Sequence, residues 1–120
     1  MIFYQLYSQN PQIVKCKAGE ALFEPGDPGE AMYVLAFGSA KYVDMAGHAE
    51  AIAPGGVVGE ACMVEAEPYR SRVVAVEDSE FVRIDRQRFI DLVSRMPEFA
   101  LEVLRVAARR LQPAASVVIA

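Results

Sequence analysis

All eight glycines of the 120-residue chain fall between Gly19 and Gly59, and none follows. Glycine serves turns whose backbone takes a positive φ, so this confinement divides the chain into a turn-rich half and a half built differently. Turn chemistry recurs every few residues in the first half: Ala18-Gly19, Pro25-Gly26-Asp27-Pro28-Gly29, Gly38-Ser39, Ala46-Gly47-His48 and Pro54-Gly55-Gly56. Between these lie short stretches of strand formers. Gln12 to Lys17 sets Ile13, Lys15 and Lys17 against Val14 and Cys16, Ala31 to Phe37 is an almost continuous apolar run, and Lys41 to Met45 and Ala49 to Ala53 flank a tight turn. Short strands at near-regular spacing predict an antiparallel sandwich or barrel.

The second half changes period. Arg70 to Val76 and Glu80 to Ile84 still read as strands, expected to pair as a hairpin across Glu77-Asp78-Ser79. After Asp85, a suitable N-cap, Phe89, Ile90, Leu92 and Val93 repeat at helical spacing. A second helix is expected to begin at Pro97, with Phe99, Ala100, Val103, Leu104, Ala107 and Leu111 on one stripe, and to be limited by Pro113. The expected fold is mainly β with C-terminal helices. It is a jelly-roll-like β-roll (a double-stranded β-helix) over about 11–84, then helices over about 86–111, in one domain spanning 1–120.

Charge excludes some functions. Twelve Lys+Arg against 16 Asp+Glu give a formal charge of −4, which offers no overall attraction to a nucleic-acid backbone. The distribution is uneven: residues 1–69 hold three cations and nine acids, residues 70–120 nine arginines and seven acids, and the first arginine is Arg70. Cys16 and Cys62 lie too far apart for a CxxC unit and do not suggest a disulfide framework, so a reduced cytoplasmic setting is expected. The apolar start Met1 to Tyr7 lacks a basic region and does not read as a signal peptide. No run approaches the roughly 18 apolar residues of a membrane span. His48, the single histidine, is read as exposed at a hairpin tip, which weighs against a metal enzyme on a small β-roll. No histidine lies near either cysteine in sequence, so neither reads as a nucleophile and no enzyme is expected. Arg109 and Arg110 are read as complementing the dipole at the last helix's end.

The segment that carries chemistry is Val57-Val58-Gly59-Glu60-Ala61-Cys62-Met63-Val64-Glu65, followed by Tyr69-Arg70-Ser71-Arg72. Gly59 permits a tight turn that brings amides close to a ligand, and Glu60 to Val64 can form a short helix with free N–H groups at its start. Arg70 supplies a planar fork of donors suited to phosphate, and Ser71 a hydroxyl. Glu60 is the wrong partner for phosphate but the right one for a ribose hydroxyl. Together these residues ask for a small molecule with both a phosphate and a sugar.

These residues and others in order resemble the cyclic-nucleotide-binding domain of catabolite-activator-type regulators, cyclic-nucleotide-dependent kinases and nucleotide-gated channels. The resemblance covers about Gln12 to Leu111 and rests on Ala18 to Asp27, Met32 to Leu35 with Gly38, Pro54-Gly55, Gly59-Glu60 with Arg70-Ser71, and Ile84 to Phe89. It implies that Glu60 accepts from the ribose 2′-hydroxyl and that Arg70 pairs with the cyclic phosphate. The phosphate would also receive amides from Glu60, Ala61 and Cys62 and the Ser71 hydroxyl, with Pro97 to about Leu111 as lid and relay. The chain departs from the family in three places. Tyr69 separates Pro68 from Arg70, so the loop is expected to differ by a residue. Arg72 falls on the same side as Arg70 by strand alternation and is a rival for the phosphate. Gln112-Pro113-Ala114-Ala115-Ser116 stands where activator-type relatives continue the helix and offer hydroxyls to the base.

The expected function is a non-enzymatic sensor with no cofactor, whose ligand is cyclic AMP or, as second choice, cyclic GMP. Its partners would be an unknown protein or a fused output domain, with no nucleic acid and no membrane, and a homodimer through the last helix is one option. The nine residues after Leu111 are too few for an appended helix-turn-helix. The alternative is a ligand-free structural or interaction module, which would have to bear Glu60 and Arg70 as charges without a ligand to meet them.

Overall fold

The structure, a computed structural model, describes residues 11–119 and their side chains as far as Leu111. The N-terminal stretch Met1 to Tyr7 and the side chains of Gln112 to Ser116 lie outside the described residues. Eight strands form two four-stranded antiparallel sheets. The strands are β1 (Gln12–Cys16), β2 (Ala21–Phe23), β3 (Ala31–Phe37), β4 (Ala40–Asp44), β5 (Ala49–Ile52), β6 (Val57–Val58), β7 (Ser71–Ala75) and β8 (Ser79–Asp85). One sheet has the order β1-β8-β3-β6 and the other β2-β7-β4-β5. Helix α1 (Ala61–Val64) follows β6, and α2 (Arg86–Arg95) and α3 (Pro97–Ile119) follow β8. This is the expected β-roll with C-terminal helices.

The hairpin between the two late strands does not form. β7 pairs with β2 and β4, whereas β8 pairs with β1 and β3 in the opposite sheet. The link between them crosses from one sheet to the other beside the β3–β4 link, which makes the same crossing. Ser39 holds the two together, its carbonyl accepting from Val76 N–H at 2.9 Å and from Ser79 Oγ at 3.0 Å. By contrast β4 and β5 form the hairpin expected around Gly47, with Tyr42 opposite Glu50.

The core lies between the sheets and beneath the helices. Phe81, Met32, Leu35, Ile84, Leu92 and Phe99 are fully or almost fully buried, each contributing about 1.5 to 3 kcal/mol relative to exposure. Cys16 also faces this core. Asp85 caps α2 as expected, its carboxylate accepting from Arg88 N–H at 2.8 Å. Phe89 of α2 meets Phe99 of α3 with ring centroids 5.8 Å apart, joining the two helices.

Helix α3 departs from expectation twice. It runs to Ile119 through Pro113, because a proline forfeits one backbone hydrogen bond and strains the turn before it without forbidding the helix. The apolar stripe also splits. Phe99 and Val103 pack inward and Val106 packs against the core, whereas Leu101, Leu104 and Leu111 are 60% or more exposed.

Candidate functional site

Gly59, Glu60, Ala61, Cys62, Arg70 and Ser71 all line one cavity of about 610 Å³, closed on one side by Tyr42 and Asp44 of β4 and on another by Ala107, Arg110 and Leu111 of α3. The β6–α1 corner forms one wall because Gly59 takes a φ of 74°, and a Cβ there would stand 3.2 Å from the Tyr69 ring and 3.3 Å from Ala31 O. The positive φ favours glycine here, and a Cβ would also press its neighbours aside by a few tenths of an ångström. In α1, Cys62 N–H turns back to Gly59 O (3.4 Å) and Met63 N–H to Glu60 O (3.0 Å), so the earlier amides of Glu60 and Ala61 are the ones a ligand can use. The Cys62 thiol donates to Gly59 O at 2.9 Å and Ala31 O at 3.2 Å, and burial pushes it up, away from thiolate.

Tyr69 is packed inward between Pro68 and Arg70. Its ring stacks on Phe23 with centroids 3.8 Å apart, its hydroxyl donates to Ala31 O, and its N–H donates to Asp27 O at 3.0 Å. It is a buried plug beneath Gly59. Burial, with the neighbouring Tyr33 and Cys62, pushes its phenol far above the ordinary range. A raised folded-state value leaves stability intact below about pH 10, the unfolded value, and removes it as pH climbs beyond. Tyr69→Phe is therefore expected to cost about 1 kcal/mol at neutral pH through the lost hydrogen bond, while flattening the alkaline fall in stability. Denaturant midpoints measured from neutral pH to above pH 10 check this.

Arg70 stands outside β7, and its side chain is 75% exposed and paired with Glu67. Ser71, the first residue of β7, is buried. Burial raises the Tyr42 phenol despite the opposing charge of Arg110. Arg72 is not part of the cavity wall. Its Nε meets Glu24 Oε1 at 2.5 Å outside that wall.

Arg110 is the site residue that the sequence reading assigned to the helix dipole. Because α3 continues to Ile119, Arg110 is not in its last turn. It reaches back into the cavity: Nη1 donates to Glu60 Oε1 at 2.6 Å, Nη2 to Val57 O at 2.9 Å, and Nε to Glu50 Oε1 at 3.2 Å. Its guanidinium carbon lies 4.4 Å from the centre of the Tyr42 ring. Burial opposes its charge, but Glu60 and Glu50 outweigh burial and push its pKa up. The buried Glu60 carboxylate therefore has a charged partner within the chain even without a ligand. The legible signal was helical spacing: Arg110 lies three residues after Ala107 and seven after the inward-facing Val103.

His48 sits at the β4–β5 turn, its side chain 71% exposed, with Nδ1 3.2 Å from Asp44 Oδ2. Asp44 is held below the usual carboxylate range, chiefly by the His48 backbone N–H. Among the described residues no group of three or more His, Cys, Asp or Glu side chains is placed to hold a metal, and no helix is long and apolar enough to cross a membrane.

With two crossed sheets, a glycine-glutamate corner, a neighbouring arginine and a helix reaching over the cavity, the chain belongs to the cyclic nucleotide-binding domain family, whose model matches residues 13–96. It is 31% identical over 101 residues to the cyclic AMP receptor protein of Thermus thermophilus, covering 80% of this chain and 47% of that protein. It is 29% identical over 105 residues to the cAMP-dependent protein kinase regulatory subunit of Aspergillus fumigatus, covering 86% of this chain and 24% of that protein. The chain thus spans half or less of these relatives. The crystal structure of Thermus thermophilus catabolite activator protein superposes with a TM-score of 0.78 at 27% identity, covering 97% of this chain and 57% of that one.

Proposed function

We propose that this chain is a sensor domain that binds a cyclic mononucleotide, cyclic AMP first and cyclic GMP second, and relays occupancy through α3. The observation that carries the reading is that six residues singled out by chemistry share one cavity with a side chain of α3. Glu60 would take the ribose 2′-hydroxyl. Arg70, the amides of Glu60 and Ala61, and the Ser71 hydroxyl would take the phosphate. Arg110 then couples the site to the helix, because a sugar hydroxyl reaching Glu60 must share or displace the guanidinium already there. A ligand shifts the helix only by its differential affinity for the two arrangements.

On this reading the domain acts by binding and not by catalysis, in the cytoplasm, and its output belongs to a partner protein or a fused domain. The outward leucines Leu101 and Leu104 would form the contact of a homodimer through α3, with Leu111 at the rim of the cavity. A ligand-free module is the second reading. It is favoured by one observation: Arg110–Glu60 and Arg70–Glu67 satisfy the main site charges within the chain.

Calorimetric titration with cyclic AMP, cyclic GMP and 2′-deoxy cyclic AMP separates the two readings. The sensor is expected to bind a cyclic nucleotide and to bind the deoxy analogue more weakly. Absence of binding at millimolar concentration supports the ligand-free module. Molecular mass followed in the same samples tests the dimer.

A further inference from the structure

Arg70, the fork assigned to phosphate, already holds an anion, its Nη2 donating to the Glu67 carboxylate three residues earlier. The backbone of Glu67 has little freedom to move. Its N–H donates to Glu65 O at 2.8 Å, Pro68 follows it, and its carbonyl oxygen occupies the place that a Cβ on Gly29 would take. Tyr69 is anchored by its stack on Phe23. Backbone held on both sides of residue 67 keeps the root of this side chain beside Arg70, and the ion pair with Arg70 turns its half-exposed carboxylate toward the phosphate site. The cavity lining carries four acids, Asp44, Glu60, Glu65 and Glu67, against Arg70 and Arg110. Glu60 and Glu50 already engage Arg110.

We propose that Glu67 is a specificity-determining residue that restricts the phosphate site to singly charged phosphodiesters and rejects phosphomonoesters. The inference rests on the cyclic-nucleotide reading above and deepens it. A guanidinium has five N–H donors, so a monoanion can share Arg70 with Glu67. A phosphomonoester carries close to two charges at neutral pH, and its second charge meets the carboxylate that Arg70 already holds within a few ångströms. The discrimination matters because an open 5′-monophosphate has the same base, sugar and phosphorus as the cyclic nucleotide. It differs in ring closure and in charge.

The test uses the whole chain loaded with cyclic nucleotide and displaced at about pH 7.5 by two open competitors of the same base. One is the 5′-monophosphate, a dianion at that pH, and the other its methyl phosphate ester, open but singly charged. The methyl ester is expected to bind about tenfold more tightly than the monophosphate, with Glu67→Gln closing most of that gap by strengthening the monophosphate selectively. Glu65→Gln, in the same cavity wall, is expected to change the ratio much less. A methyl ester as weak as the monophosphate overturns the proposal. So does a Glu67→Gln change that strengthens both competitors equally or neither, or an equal effect from Glu65→Gln. If the unsubstituted chain binds no cyclic nucleotide, the sensor reading itself fails, an outcome visible before any competitor is added.

Discussion

Arg70→Gln is expected to weaken cyclic-nucleotide binding by about 1.5 to 3 kcal/mol, roughly tenfold to more than a hundredfold, in a calorimetric titration. The substitution keeps a polar side chain but removes the charge and the paired donors that fit a phosphate. It should leave the fold almost untouched, since the Arg70–Glu67 pair is exposed and such pairs contribute about 0 to 1 kcal/mol. Arg72→Gln is expected to lose far less affinity, because that side chain is committed to Glu24 outside the cavity. Equal losses from the two substitutions would show that the phosphate is held by the other arginine.

The second large effect is on stability. Arg110→Ala is expected to cost about 2 to 3 kcal/mol in the absence of ligand, read as a lower urea midpoint at unchanged slope. Breaking a fully buried ion pair commonly costs about 3 to 5 kcal/mol, and the smaller figure reflects a cavity that admits water to Glu60 once the guanidinium is gone. Adding Glu60→Gln to the same chain is expected to recover part of the loss, since the carboxylate left behind is the chief penalty. A single substitution without measurable cost would mean that Arg110 does not hold α3 to the roll.

What the sequence disclosed was whatever local pattern determines. The glycine-rich turns mark where strands end, and the Asp85 cap and Pro97 mark where helices begin, and both appear in the structure as read. The six candidate residues converge on one cavity because five of them lie on a single short excursion from the roll and the sixth, Ser71, starts the next strand. What local pattern does not carry is the sheet to which a strand belongs. Residues 71–75 and 79–85 look the same whether they pair with each other or with strands far away, and the three residues between them suit a tight turn or a crossing equally well. Arg110 was hidden for a related reason. A charge on a helix is read against its own helix first, and only the path of α3 over the cavity brings it to Glu50 and Glu60, 60 and 50 residues earlier.

The strand order bears on how the chain acquires its shape during synthesis. β8 lies between β1 and β3, and β7 lies between β2 and β4, so one of the two interior strands of each sheet comes from the last of the described β structure to leave the ribosome. β2 has no neighbour to pair with until β7 has emerged, and β1 none until β8 has. Within the glycine-rich half only the β3–β6 and β4–β5 pairs can form before that. Closure then depends on contacts between residues as distant as Gln12 and Arg83, a topology that favours slow, late and concerted folding over stepwise growth from the N-terminus.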